Sequence, residues 1–138
     1  MGHENSLRGD DGEFITKEWE VVRVIGGVSV LHNPYQKNEF DLPIKANSSE
    51  CYFKQDKDGN ITQLRVYDSN HNAMFDIDIN PKKPHDNLKA GVTHIHEFTE
   101  IDGKIVRAKK KARYLTESEI KKWNPLLSLA RGDVRYYE

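Results

Sequence analysis

The 138-residue sequence lacks several features that would assign it to a familiar class of protein. No apolar run approaches the roughly 18 residues that a membrane-spanning helix requires. The polar, acidic residues 1–11 contain no apolar signal-peptide core. Cys51 is the only cysteine, so no disulfide can form within the chain, which fits a reducing compartment. We therefore expect a cytoplasmic protein that has no membrane partner.

Two types of binding site are also missing. The sequence contains no Gly-rich loop of the kind that binds nucleotide phosphates. Asp56, Asp58 and Asn60 resemble the start of a calcium-binding loop, but the glutamate that should follow at the required spacing is absent. These three residues are instead expected to form a hairpin turn around Gly59.

The composition still permits one modest hydrophobic core. Apolar residues make up 36% of the chain and charged residues 31%, and the mean hydropathy is -0.80. This is enough apolar material to exclude wholesale disorder, and the length suits one domain. We expect a flexible leader at residues 1–13 and a single domain over residues 14–138.

Short β-rich runs separated by turn residues follow the leader. The spacing predicts hairpins that join residues 18–25 to 28–31, 51–55 to 61–67, and 92–98 to 104–113. Another strand is predicted at residues 73–79, where apolar and polar residues alternate. The expected fold is α+β, a mostly antiparallel twisted sheet of about six or seven strands with a C-terminal helix.

The C-terminal helix has a clear start signal. Thr116 is the expected N-cap and Glu119 completes a capping box. Pro125 is expected to end the helix, with a further helical turn over residues 126–130.

A net charge of -1 conceals an uneven distribution of charge. Residues 1–20 contain six acids and two bases, whereas residues 104–123 contain eight bases and two acids. The basic segment is suited to RNA, to another anionic partner or to a protein partner, or it is a solvated strand edge. Its candidate substrate-binding residues are Arg107, Lys109 and Lys111.

The densest cluster of reactive side chains lies between residues 76 and 100. Asp76 and Asp78 are two apart in one predicted strand, and His94 and His96 are two apart in the next. Side chains two apart in a strand share a face, so pairing of the two strands would bring both carboxylates and both imidazoles together. His85, in the intervening loop, could reach the same place.

One interpretation of this cluster is a metal site. Imidazoles and carboxylates at such spacing bind Zn²⁺, Mn²⁺ or Fe²⁺, and the candidate ligands are Asp78, His94 and His96. His94, His96 and Glu100 also match part of the cupin metal motif, although its upstream glycine and second motif are missing. The cofactor expected from the sequence is therefore either none or a divalent metal ion.

Another interpretation is metal-free acid–base catalysis. One histidine can take a proton while a second returns it, and such a pair cleaves RNA because the ribose 2′-OH supplies the nucleophile. Arg65, Arg107 or Lys109 would stabilise the charge that builds on the phosphate, while Asp76 and Asp78 would orient the histidines. A third interpretation gives His94 and His96 no function beyond that of exposed strand residues.

Several segments together carry a resemblance. The run SSECYFKQDKDGNITQLRVYDSNHNAMFDIDIN at residues 48–80 is followed by THIHEF at residues 93–98. With IGGVSVL at residues 25–31 and LTESEIKKW at residues 115–123, this order is similar to a C-terminal module of phage head-associated proteins and bacterial polymorphic toxins. The similarity spans about residues 20–125.

The resemblance implies a nuclease effector with a compact α+β fold similar to barnase or EndoU-like ribonucleases. The polar positions of the module that this chain shares are Gln63, Arg65, Tyr67, Asp76, Asp78, His94 and His96. On this basis we expect an RNA-cleaving domain in which Asp76, Asp78, His94, His96 and Arg65 are catalytic and Tyr67 contacts substrate. The alternatives are a non-catalytic phage accessory or inhibitor protein that binds through its basic hairpin, and a small metal-binding protein.

Overall fold

A computed structural model describes residues 19–37, 40–46, 48–109 and 111–136, which form eight strands and one helix. In chain order the elements are β1 (Glu20–Ile25), β2 (Val28–His32), β3 (Cys51–Gln55), β4 (Ile61–Tyr67), β5 (Ala73–Asp78), β6 (His94–Ile101), β7 (Lys104–Arg107), β8 (Arg113–Tyr114) and α1 (Glu117–Ala130). The predicted leader at residues 1–13 lies outside the described residues. Within these ranges, no helix combines the length and the apolar character needed to cross a bilayer.

The strands form one sheet in the order β1-β2-β3-β4-β5-β6-β7, and β8 pairs with the first residues of β6. Every neighbouring pair is antiparallel except β2 and β3, which are parallel. The predicted α+β class is confirmed. The parallel pair was not predicted; it arises because residues 33–50 are long enough to return the chain to the same end of the sheet.

The turn between β3 and β4 fixes the register of these two strands. The side chain of Asp56 accepts hydrogen bonds from the backbone amides of Asp58 and Asn60, both at 2.9 Å. Gly59 has a φ of 89°, a left-handed conformation that favours glycine. The predicted hairpin turn is therefore confirmed at this position.

Helix α1 covers one face of the sheet. The helix begins with the predicted capping box, in which the Thr116 side chain accepts from the Glu119 amide and the Glu119 side chain accepts from the Thr116 amide. The residues buried in the core between the helix and the sheet are Val28, Val30, Phe53, Ile61, Leu64, Val66, Ile77, Ile79, Ile95, Leu115 and Leu127.

The prediction that Pro125 ends the helix is wrong, because α1 continues through it to Ala130. A proline inside a helix costs about 3 kcal/mol, and packing of the following turn offsets this cost. Leu127 is completely buried in the core. Gly26 lies so close to the helix that a Cβ there would be 2.9 Å from Cδ1 of Leu126.

The predicted second strand of the basic hairpin is also interrupted. β7 ends at Arg107, and the amide of Ala108 donates to the carbonyl of Glu97 at 2.9 Å. β8 then pairs with an earlier part of β6. The prediction of one strand over residues 104–113 is therefore corrected to two short strands, since the run has no alternating apolar residues beyond Val106 to hold it in the sheet.

The other face of the sheet is only partly apolar. A second cluster occupies one end of it and consists of Trp19, Leu31, Leu42, Ala46, Tyr52, Tyr67 and Ala73. The remaining part of this face carries charged and imidazole side chains.

Candidate metal centre

Two cross-strand rows of polar side chains lie on the face opposite α1. Residues directly opposite one another on paired strands share a face. The first row crosses β3 to β6 through Lys54, Gln63, Asp78 and His94. The second row, two residues along each strand, consists of Tyr52, Arg65, Asp76 and His96.

Asp78, His94 and His96 meet at a single point. Nε2 of His94 lies 3.1 Å and Nε2 of His96 lies 3.2 Å from Oδ2 of Asp78. The two Nε2 atoms are 3.0 Å from each other. The histidines are almost completely buried, while the Asp78 side chain is 18% exposed. The three ligand-type atoms therefore form a nearly equilateral triangle with one accessible corner.

Hydrogen bonds alone do not account for this triangle. An Nε2–H bond points along one line and donates well to one neighbour, so protons cannot satisfy all three contacts at once. The spacing matches the ligands of one ion. For metal–ligand bonds of about 2.1 Å, adjacent ligands are about 3.0 Å apart in an octahedron and about 3.4 Å apart in a tetrahedron.

The surroundings of Asp78 aim one of its oxygens at the histidines. Gln63 donates from Nε2 to Oδ1 at 2.7 Å, which leaves Oδ2 for the imidazoles. Burial opposes ionisation of Asp78, but hydrogen bonds from His94 and His96 and the charge of Arg107 outweigh burial and hold the pKa of this carboxyl well below its ordinary value. Asp78 is therefore ionised, as a metal ligand must be.

The ring of His94 is directed toward the same point. Its Nδ1 atom is buried and has no hydrogen-bond partner among the described residues. Among the described residues, the His94 ring makes its polar contacts through Nε2, to Asp78 and to His96.

Asp76 does not orient the histidines as predicted. Its carboxylate is completely buried and accepts from Nε and Nη2 of Arg65 at 2.7 and 2.9 Å. It also accepts from Nε and Nη2 of Arg107 at 3.2 and 2.8 Å. Although Asp76 pairs with His96 in register, the two arginines hold its charge away from the imidazoles.

Arg65 and Tyr67 are occupied inside the protein. Arg65 is 3% exposed, its guanidinium donates to Asp76 and to backbone carbonyls, and it lies 4.8 Å from the ring centroid of Phe98. Tyr67 is also buried and donates its hydroxyl to the carbonyl of Pro43. These contacts give both residues structural roles in holding the loop that contains Pro43 against the sheet.

The predicted basic residues separate into two groups. Arg107 lines a pocket of about 1140 Å³ in front of Asp78, with one third of its side chain exposed. Lys109 and Lys111 are exposed, and neither is among the described residues that line this pocket. Glu100, the third residue of the partial cupin match, is exposed toward the far end of β6 and does not belong to the triangle.

His85 extends from the loop before β6 to the mouth of the centre. Its ring is stacked near His94, with centroids 5.8 Å apart, and meets His96 edge-on at 4.5 Å. Nearly half of its side chain is exposed, and it lines the pocket. The loop thus adds a third imidazole on the solvent side, as the sequence indicated.

Sequence reasoning missed Lys54 altogether, and it named Gln63 only as a shared polar position of the resemblance, with no role in the site. Both lie opposite one another in the β3–β4 hairpin, and Gln63 lies opposite Asp78. The signal that could have identified them is the register set by the Asp56–Asn60 turn, counted across to β5.

Comparisons of the chain with protein-family models, with curated proteins and with solved structures find no match. The resemblance to a phage and toxin module, the nuclease fold within the α+β class and the cytoplasmic location stay predictions.

Proposed function

We propose that this protein binds one divalent transition-metal ion through Asp78, His94 and His96 and acts as a metal-dependent hydrolase. The observation that carries this proposal is the triangle of Oδ2 and two Nε2 atoms, with sides of 3.0 to 3.2 Å. Two imidazoles and one carboxylate on one side of an ion leave other positions open for water and substrate.

The same geometry favours a metal over the metal-free histidine pair. A pair that cleaves RNA by acid–base chemistry must place the scissile phosphate between its two rings. Here the Nε2 atoms of His94 and His96 are 3.0 Å apart and both rings are buried. No phosphodiester fits between them, so RNA cleavage at this site is expected to depend on metal.

The residues of the chain have distinct parts in this proposal. Asp78, His94 and His96 would hold the ion, which would lower the pKa of a bound water molecule toward neutrality. Gln63 fixes the carboxylate of Asp78 in the orientation of a ligand. Arg107, with Nη2 3.6 Å from Oδ1 of Asp78, keeps positive charge beside the centre.

Metal titration of purified protein tests the proposal. Wild-type protein, stripped of metal, should bind one equivalent of Mn²⁺, Zn²⁺ or Fe²⁺ in isothermal titration calorimetry. His96→Gln should weaken binding at least about 100-fold, because it removes a ligand outright. His32→Gln is the matched control, since His32 is also a strand histidine paired with a carboxylate, Glu20, at 3.0 Å.

The control should bind metal as tightly as the wild type. If the wild type binds no metal, or if His96→Gln and His32→Gln have equal affinities, the proposal is refuted. Circular dichroism of each variant establishes that folding is retained.

A further inference from the structure

Lys54 is a half-buried cation whose ammonium group makes no close ion pair among the described residues. Its Nζ lies 4.8 Å from the ring centroid of Phe40, and it forms no ion pair with a carboxylate within the described ranges. Desolvation by burial lowers the pKa of this ammonium group. Asp41, Asp78 and Asp76 attract this charge without touching it, and they offset only part of the cost of desolvation. The position is therefore suited to an anion that arrives from outside.

The position of Lys54 points to the candidate metal centre. It is the first member of the cross-strand row that continues through Gln63 to Asp78. Lys54 and Arg107 both line the pocket in front of Asp78. Arg107 approaches from β7, on the other side of Asp78, and one third of its side chain is exposed.

The pocket as a whole carries an excess of positive charge. Its described lining contains seven lysine and arginine residues and four aspartates, and positive charge stays in excess when Asp76, buried behind Arg65 and Arg107, is included. Lys82, Lys83 and Arg135 are exposed in the lining. A concave surface with this balance raises the local concentration of anions, and a bound divalent ion would increase the excess further.

We propose that Lys54 and Arg107 form an anion subsite for a phosphoryl group beside the Asp78–His94–His96 centre, so that the substrate is a phosphate ester. The role of this subsite in catalysis rests on the proposed function. Phosphoryl oxygens point in several directions and can contact an ammonium group, a guanidinium group and an ion at once. The phosphoryl group can come from a nucleic-acid backbone or from a small phosphate ester.

A charge-removal variant with a matched control tests the subsite. Lys54→Gln removes the ammonium group. Lys122→Gln is the control, because Lys122 also lies over an aromatic ring, Trp123, at 5.3 Å, but belongs to α1 on the opposite face. Calorimetry with inorganic phosphate, on both metal-free and metal-treated protein, should show about tenfold weaker binding for Lys54→Gln, the loss expected for one charge-assisted hydrogen bond. The control should match the wild type.

Two further arms distinguish the sources of the phosphoryl group. A fluorescein-labelled short oligoribonucleotide measures binding of a nucleic-acid backbone, and bis(4-nitrophenyl) phosphate measures turnover of a small ester. A loss in the oligoribonucleotide arm alone assigns the subsite to a nucleic acid. A loss in the ester arm alone assigns it to a small substrate.

The outcomes separate this proposal from the proposed function. If the wild type binds metal but Lys54→Gln binds phosphate as well as the control does, the subsite is refuted and the metal centre stands. If phosphate binding depends on Lys54 but no metal binds, the subsite stands and the hydrolase proposal falls. Metal affinity that is equal in wild type and Lys54→Gln excludes damage to the centre as the cause of lost binding.

Discussion

The two faces of the sheet use the same strands for opposite purposes. In β5, Ile77 points into the dry core under α1, whereas Asp76 and Asp78 point to the other face. In β6, Ile95 is on the core side and His94 and His96 are on the polar side. Along each strand, one residue therefore packs in the core and the next contributes to the polar site. The effect of a substitution on one face can be compared with that of a substitution at a neighbouring residue on the other face.

The polar face is itself divided into a closed and an open part. Asp76 is completely enclosed and both of its oxygens accept from arginines. Asp78 is partly accessible and shares one oxygen between two imidazoles. Asp76 and Asp78 are only two residues apart, but they differ in their hydrogen bonds. Arginine donors satisfy both oxygens of Asp76, whereas the shared oxygen of Asp78 has a bonding pattern suited to an ion.

The largest loss of stability is expected from Asp76→Ala. This change leaves Arg65 buried without its counterion, and breaking a buried pair in this way costs about 3–5 kcal/mol. Urea unfolding measures the loss. Asp133→Ala is the control, because Asp133 is exposed and pairs only with Arg131 within the described chain. If Asp76→Ala lowers the free energy of unfolding by less than about 1 kcal/mol, the Arg65–Asp76 pair is not enclosed as described above.

A loss of about 3 kcal/mol is expected from Ile77→Ala, since it opens a cavity under α1. Urea unfolding is again the measurement, with the exposed Val24 as the site of a control Val→Ala substitution. The metal affinity of folded Ile77→Ala should equal that of the wild type. A large drop in affinity without unfolding would show that the two faces are not separable.

The smallest effect is expected at the junction of β8 and α1. A hydrogen bond from Arg113 lowers the pKa of Glu119 to about 2, below its ordinary value of 4.5. A carboxyl with a depressed pKa stabilises the fold above pH 4.5, and the contribution is lost as the pH falls toward 2. Because the pair is partly exposed, we expect about 1 kcal/mol.

Comparison of wild type with Glu119→Gln over this pH range measures that contribution. The stability difference between the two proteins should be largest near neutral pH and should shrink as the solution is acidified through the interval from 4.5 to 2. A difference that does not change with pH would show that ionisation of Glu119 does not contribute to stability.

Local alternation was sufficient to predict much of the site. It placed Asp76 with Asp78, and His94 with His96, on shared faces of neighbouring strands, and the structure has this arrangement. Alternation does not predict which aspartate contacts the imidazoles, because Asp76 and Asp78 lie on the same face of the strand. That choice depends on Arg65 and Arg107, which reach Asp76 from β4 and β7 through strand pairings distant in sequence.

Tertiary packing explains the remaining errors. Pro125 has a strong local preference to end a helix, but burial of Leu127 carries the helix past it. Lys54 belongs to the site because of the register between β3 and β4. Short sequence motifs do not contain information about that register. The parallel pairing of β2 with β3 depends on the path of residues 33–50. Phe40, Leu42 and Ile44 alternate there, but Pro43 interrupts the run, and the pattern does not indicate how β2 and β3 pair.

The most direct test of the central claim is a long-range ¹H–¹⁵N spectrum of the histidine rings during addition of one equivalent of Zn²⁺. Coordination should move the Nε2 resonances of His94 and His96 together, in slow exchange, and leave those of His32 unchanged. If the resonances of His94 and His96 stay in place, or if every histidine shifts gradually and alike, the Asp78–His94–His96 triangle is not a metal centre.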